Sequence, residues 1–226
     1  MSTGAYSSAY AASLADPTAF WGAAAQDIDW ITPPTQVLDD SRPPFYRWFP
    51  DGTLNTCFNA VDRHVAGGRA DQVALHYDSP VTGRKESFTY AALLGHVRRL
   101  AGALAGAGVS KGDRVLVYMP MVPEAVFAML ACARIGAIHS VVFGGFAPAE
   151  VAARVDDAKP KVVLTASCGI EPSRVVPYQP FLAEGIARSE HKPDRVVCLQ
   201  REMSPAELLP GWVDWNEFIA SPAGAA

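Results

Sequence analysis

Residues 113–146, DRVLVYMPMVPEAVFAMLACARIGAIHSVVFGGF, restrict the folds open to this chain more than any other stretch. Val115, Leu116, Val117 and Tyr118 form a short apolar, β-prone run. Met119-Pro120 closes it, because proline brings no N–H to a strand ladder. Pro123 suits the first turn of a helix, where its missing N–H costs nothing. Ala125, Phe127, Met129, Leu130 and Ala133 carry that helix to Gly136, which reads as its C-cap. A second apolar run, Ala137 to Phe143, ends at Gly144-Gly145. Two apolar strands joined through one helix predict parallel pairing with a right-handed crossover. The glycine pair then falls at a strand's C-terminal end, the edge where open α/β sheets take ligands.

The same alternation surrounds this unit. Thr89 caps an amphipathic helix with Leu93, Leu94, Val97, Leu100, Ala101 and Leu104 on one face. Pro148 opens another, with Val151, Ala152 and Val155 inward, and Lys161–Ala166 reads as a third strand. A loop from Ser167 to Pro177 precedes a helix through Phe181, Leu182 and Ile186, and Arg195–Leu199 reads as a fourth strand. This order predicts an α/β fold with a doubly wound, mostly parallel sheet. Upstream, Val73–Tyr77 and Glu86–Tyr90 predict a hairpin around Asp78–Arg84, and Asn55–Ala66 has helical spacing ended by Gly67-Gly68. In residues 1–55, Asp16 and Pro17 mark a helix start. Trp30, two proline pairs, Phe45, Tyr46, Trp48 and Phe49 then predict an extended arm packed along a domain surface.

Composition narrows the function. Hydrophobic residues make up 50% of the 226, enough for a large core, and a net charge of −4 with 19% charged residues gives no basic field for nucleic acid. Cys57, Cys132, Cys168 and Cys198 lack metal-site spacing and predict reduced thiols in a cytoplasmic protein. The first basic residue is Arg42, so no secretory signal or transit peptide is read at the N-terminus. Apolar stretches are broken by Pro, Glu, Arg or His well short of a membrane span. Trp212, Trp215 and Phe218 lie close to the end, with no further segment expected to close the sheet.

On residue chemistry alone no catalytic constellation stands out. His64, His76, His96, His139 and His191 are scattered, and His139 is expected as a satisfied, half-buried imidazole in a strand. Gly144-Gly145 matches neither GxGxxG nor the GxxxxGK phosphate loop, and on the residues alone a tight turn is the favoured reading. Arg174, in the loop Cys168-Gly169-Ile170-Glu171-Pro172-Ser173-Arg174, is either a phosphate holder or a surface arginine.

Three segments together, FTYAALLGHVRRLAGAL, YMPMVPEAVFAMLACARIGAIHSVVFGGF and SCGIEPSRVVPY, resemble the short-chain acyl-CoA synthetases. These are the acetyl- and propionyl-CoA synthetases of the AMP-forming, adenylate-forming superfamily. The resemblance runs from about Tyr10 to Trp215, and GIEPSR is closer to the propionyl-type branch. It implies an N-terminal extension over 1–66, a partial AMP-dependent ligase domain over 67–220 and a short tail over 221–226. It implies a reaction in which a carboxylate (propionate or acetate) and ATP with Mg give an acyl-adenylate, and CoA then takes the acyl group. It assigns Gly144, Gly145, Glu171, Pro172, Ser173 and Arg174 to the CoA side, the arginine near the phosphates. The family's phosphate loop, adenine and carboxylate pockets and C-terminal lid have no match before Ala226, so no acyl-CoA synthesis is expected from this chain alone. The rival expectation is a non-enzymatic module that binds CoA or complements a separate chain. A flavodoxin-like or receiver domain lacks the acidic cluster or phosphate loop it would need. A bare sheet edge and apolar faces are expected, and with them self-association.

Overall fold

The computed structural model describes residues 4–171 and 174–220. It divides into two compact units between Asn55 and Thr56.

The first unit opens with α1 (Ala5–Ala15), which buries none of its residues, and α2 (Pro17–Ala24). Asp16 caps α2 as expected, its carboxylate accepting from the Ala19 N–H at 2.9 Å. The arm that follows is extended in short pieces: β1 (Trp30–Thr32), β2 (Leu38–Asp39), β3 (Arg47–Trp48) and β4 (Thr53–Leu54). They pair antiparallel as β1 with β4 and β2 with β3. Aromatic rings pack these pieces together, Trp30 against Phe49 at 5.5 Å and Trp21 against Trp48 at 6.2 Å between centroids. Asp51 ties Thr35 in place, accepting from its N–H at 2.9 Å and its hydroxyl at 2.5 Å; these bonds hold the carboxyl below the usual carboxylate range.

The second unit opens with a helical stretch whose wide turns cover Phe58–Asp62 and Val65–Arg69, with Gly68 at φ 83. The hairpin β5 (Val73–Ser79) and β6 (Arg84–Thr89) follows. Thr89 caps α3 (Tyr90–Gly106) through its hydroxyl, which accepts from the Ala92 N–H. Next come β7 (Arg114–Met119), α4 (Pro123–Ile135), β8 (Ile138–Phe143), α5 (Pro148–Ala158) and β9 (Val162–Ala166). Pro123 is in the first turn of α4, and Gly136 ends it at φ 72, a left-handed position that a side chain would strain. The chain continues through β10 (Cys168–Glu171), β11 (Arg174–Pro177), α6 (Gln179–Arg188), β12 (Arg195–Leu199), β13 (Trp212–Asp214) and α7 (Trp215–Ile219).

Five strands form one sheet in the order β13-β12-β9-β7-β8, every neighbouring pair parallel. Side chains alternate between its faces, so each face has its own core. Val115, Val117, Met119, Val162, Leu164 and Val197 meet α3, α4 and α7. Leu116, Tyr118, Val142, Val163 and Val196 meet α5 and α6. All four cysteines are buried and free, and burial pushes the Cys132 and Cys198 thiols up to about 12.

Three expectations are corrected. The segment expected as a loop from Ser167 to Pro177 contains an antiparallel hairpin, β10 with β11. The sequence predicts four strands with no further segment closing the sheet, but Trp212 begins β13, which adds a fifth strand beside β12, and Trp215 and Phe218 of α7 are each 4% exposed in the core. His139 is exposed on β8 rather than half-buried, because β8 is an edge strand. The expected bare edge is present there, with Ile138 54% and Val141 56% exposed.

Leu164, fully buried on the central strand β9, sets the main stability prediction. Leu164→Ala should destabilise the chain by about 2–5 kcal/mol, and removing the helix cap by Thr89→Ala by about 1 kcal/mol. Urea titrations followed by circular dichroism measure both.

Candidate functional site

Parallel pairing sends the C-terminal ends of all five sheet strands to one edge, and the candidate site is built there. Tyr118, next to last in β7, is fully buried and reaches that edge with its hydroxyl. The hydroxyl donates to the Phe146 carbonyl and accepts from the Gly145 N–H, both at 3.2 Å. One phenol therefore fixes the backbone of the turn after β8. Tyr178, just before α6, packs its ring 5.0 Å from that of Tyr118. It also lies against two glycines: a Cβ on either Gly144 or Gly169 would overlap its hydroxyl and ring. Gly145 has φ 92, and a Cβ there would overlap Glu171 Oε1.

Ser167 holds the neighbouring corner and is 1% exposed. Its N–H donates to the Leu199 carbonyl at 2.8 Å, and its carbonyl accepts from the Tyr178 N–H at 3.0 Å. Its hydroxyl oxygen accepts from the Arg201 N–H at 2.9 Å. The Arg201 guanidinium donates back to the Cys168 carbonyl at 3.0 Å. So one serine joins the end of β9, the end of β12 and the start of α6. Burial raises the Tyr118 phenol and pushes that of Tyr178 up to about 12. The Glu171 charge raises both further, since a carboxylate disfavours a neighbouring phenolate.

Of the residues assigned from sequence, Gly144, Gly145 and Glu171 come together here. Arg174 is exposed and stands directly across the β10–β11 ladder from Glu171. Pro172 and Ser173 lie outside the described residues. Tyr118, Ser167, Gly169, Tyr178 and Arg201 were missed. The available signal was a strand ending in tyrosine and a second tyrosine between two apolar segments, each facing glycines distant in sequence. The arrangement offers a partly exposed carboxylate, an exposed guanidinium and turn backbone, backed by two buried phenols.

Elsewhere, the first unit has an open pocket of about 400 Å³ lined by Trp30, Phe49, Pro33 and Pro34, with Gln26 and Asp29 among its polar members. Among the described residues no His, Cys, Asp and Glu cluster is placed to hold a metal ion. No helix among them is long and apolar enough to cross a membrane.

Residues 62–220 match the family of AMP-binding enzymes, and residues 6–60 match the acetyl-coenzyme A synthetase N-terminus. The chain belongs to the AMP-binding enzymes. Within that family it is similar to acyl-CoA synthetase short-chain family member 3, mitochondrial, of Rattus norvegicus, with 51% identity over 219 residues, 96% of this chain and 32% of the relative. It is 46% identical to the propionate–CoA ligase of Salmonella typhimurium over 213 residues, 94% of this chain and 33% of that one. The solved acetoacetyl-CoA synthetase from Streptomyces lividans superposes with a TM-score of 0.84 at 30% identity, covering 96% of this chain and 33% of that chain. The chain thus spans about a third of the length of these relatives.

Two substitutions test this geometry. Gly144→Ala should force Tyr178 from its place and cost about 1–3 kcal/mol of stability, read by thermal and urea unfolding. Glu171→Gln removes the negative charge beside both phenols, so tyrosinate absorbance near 295 nm should develop at lower pH than in the unsubstituted chain. An unchanged alkaline titration would mean that Glu171 does not sit against Tyr118 and Tyr178.

Proposed function

We propose that this sheet edge is the CoA-side surface of an AMP-forming short-chain acyl-CoA synthetase, with Gly144, Gly145, Glu171, Pro172, Ser173 and Arg174 as its residues. The observation that carries the reading is the convergence of the glycine turn after β8 with the β10–β11 hairpin after β9. The reaction joins a carboxylate to CoA at the expense of ATP, with Mg, through an acyl-adenylate; CoA supplies the accepting thiol. Propionate is favoured over acetate, a reading supported by the similarity to a propionate–CoA ligase. Residues 1–66 serve as the N-terminal extension and 67–220 as part of the ligase domain. The buried free thiols support a reducing, cytoplasmic setting.

The residues present fit one end of CoA well. An exposed arginine at a hairpin mouth meets phosphate oxygens in two-pronged geometry without losing an existing partner in the core. The glycines fit differently from the simplest expectation. Their missing Cβ atoms make room for the buried Tyr178 and for Glu171, so they serve the protein's own packing first, and the surface left to a ligand is turn backbone and Glu171.

Isothermal titration of the full chain with CoA tests the reading. The expected result is saturable binding that weakens about tenfold or more in Arg174→Ala, with a shallower dependence on salt. No saturable binding of CoA at any ionic strength would overturn it.

A further inference from the structure

His96 stands at the junction of β6, α3 and α4. Its ring stacks on Phe127 of α4, with centroids 4.6 Å apart and planes 9° from parallel. Phe88 of β6 meets both rings edge-on, at 5.8 Å and 5.4 Å. Phe127 is 3% exposed, so the stack belongs to the core, while His96 itself is half-buried. Arg99, one turn further along α3, places its guanidinium 3.2 Å from His96 Nδ1. A guanidinium only donates, so Nδ1 keeps its lone pair and the ring is neutral with its proton on Nε2. Glu86 of β6 also acts on the ring by its charge. Both Glu86 oxygens are engaged by Arg84, at 2.8 Å and 2.9 Å. On α4 the charged group is Glu124, in the first turn, and it too acts on Arg84. Glu124 Oε2 is buried without a hydrogen-bond partner, the only such side-chain atom among the described residues. Two carboxylates therefore share one guanidinium that is bonded to Glu86, and the acceptor left over carries the cost of an unmet buried group.

We propose that these residues form an acid-sensitive switch in which His96 takes a proton on Nδ1, Glu86 turns from Arg84 to the imidazolium, and Arg84 passes to Glu124 Oε2. The proton comes from solvent and fills the lone pair that Arg99 used, so Arg99 loses its partner and faces a second cation. Glu86 is the carboxylate that acts on His96, and its departure leaves Arg84 beside the unpartnered oxygen of Glu124. Burial first, and then the Arg99 charge, hold the His96 imidazole below its ordinary value of 6.5, while Glu86 acts in the opposite direction. Stability tied to the neutral ring is therefore complete above pH 6.5 and is lost as pH falls through the lowered folded value, because the unfolded chain takes the proton first. The exchange ends in the first turn of α4, which residues 120–122 join directly to β7, the strand whose Tyr118 fixes the glycine turn. Acid thus reaches the candidate site through the start of α4.

Proton NMR of the full chain, titrated from about pH 8 to about pH 5, follows the His96 ring, assigned by its loss in His96→Phe. Arg99→Ala should raise the His96 midpoint, and Glu86→Gln should lower it. Glu124→Gln should also lower it, and should cease to do so in the Glu86→Gln background, because Glu124 acts on His96 only through the exchange. Over the same range, thermal unfolding of the parent should lose about 2–4 °C more in Tm than that of His96→Phe, which keeps the stack and removes the titrating group. Arg99→Ala gives a second comparison if His96→Phe folds poorly, and it should lose less on acidification than the parent. Equal acid losses in the parent and in these variants overturn the switch. A His96 midpoint unmoved by Glu124→Gln, or moved equally with and without Glu86, overturns the partner exchange. None of these readouts depends on CoA, so the reading of the sheet edge stands or falls separately.

Discussion

The parallel pairing of β7 with β9 is the constraint on which the second unit depends. Val115–Tyr118 and Val162–Thr165 lie side by side with every residue at most 1% exposed. A pair buried this fully needs cover on both faces. The α3, α4 and α7 helices supply it on one side, and α5 and α6 on the other. Parallel strands also cannot be joined by tight turns, so each connection crosses over and every strand ends at the same edge. Gly144, Ser167 and Arg201 follow β8, β9 and β12 at that edge. The site is therefore a consequence of how the core is wound.

Tyr118 links the two levels. Its ring belongs to the core between the sheet and α5–α6, and its hydroxyl fixes the turn at Gly145 and Phe146. Tyr178 continues the same stack outward and fills the space between Gly144 and Gly169. A change at either tyrosine would be felt in the turn backbone before it reached any ligand. Glycine is needed at these positions first for the protein's own packing, and any close approach by a ligand is built on that packing.

Much of the second unit could be read from sequence because its signals are local. Runs such as Val115–Tyr118, proline at the start of α4 and α5, the Thr89 cap and the Gly136 stop each act within a few residues. What escaped is non-local or short. The β10–β11 hairpin has four-residue strands separated by only residues 172 and 173, without the Asn-Gly or Asp-Gly pair that would announce it. β13 is three residues long, too short to show a period, and its place beside β12 is fixed by pairing. The site was legible as two segments, the glycine pair and the Glu171–Arg174 loop. The tyrosines between them were not, because their meaning lies in contacts of Tyr118 with Gly145 and Tyr178 with Gly144 and Gly169. The resemblance of long ordered segments carried the function further than any single motif.

Hydrogen–deuterium exchange of the full chain with and without CoA tests the central claim most directly. The account predicts slower exchange on CoA addition in the turn at residues 144–146 and in the hairpin at 168–177, with the opposite sheet edge around residues 110–114 unchanged. Protection confined to the 110–114 edge or to the first unit, with none at 144–146 and 168–177, would contradict it.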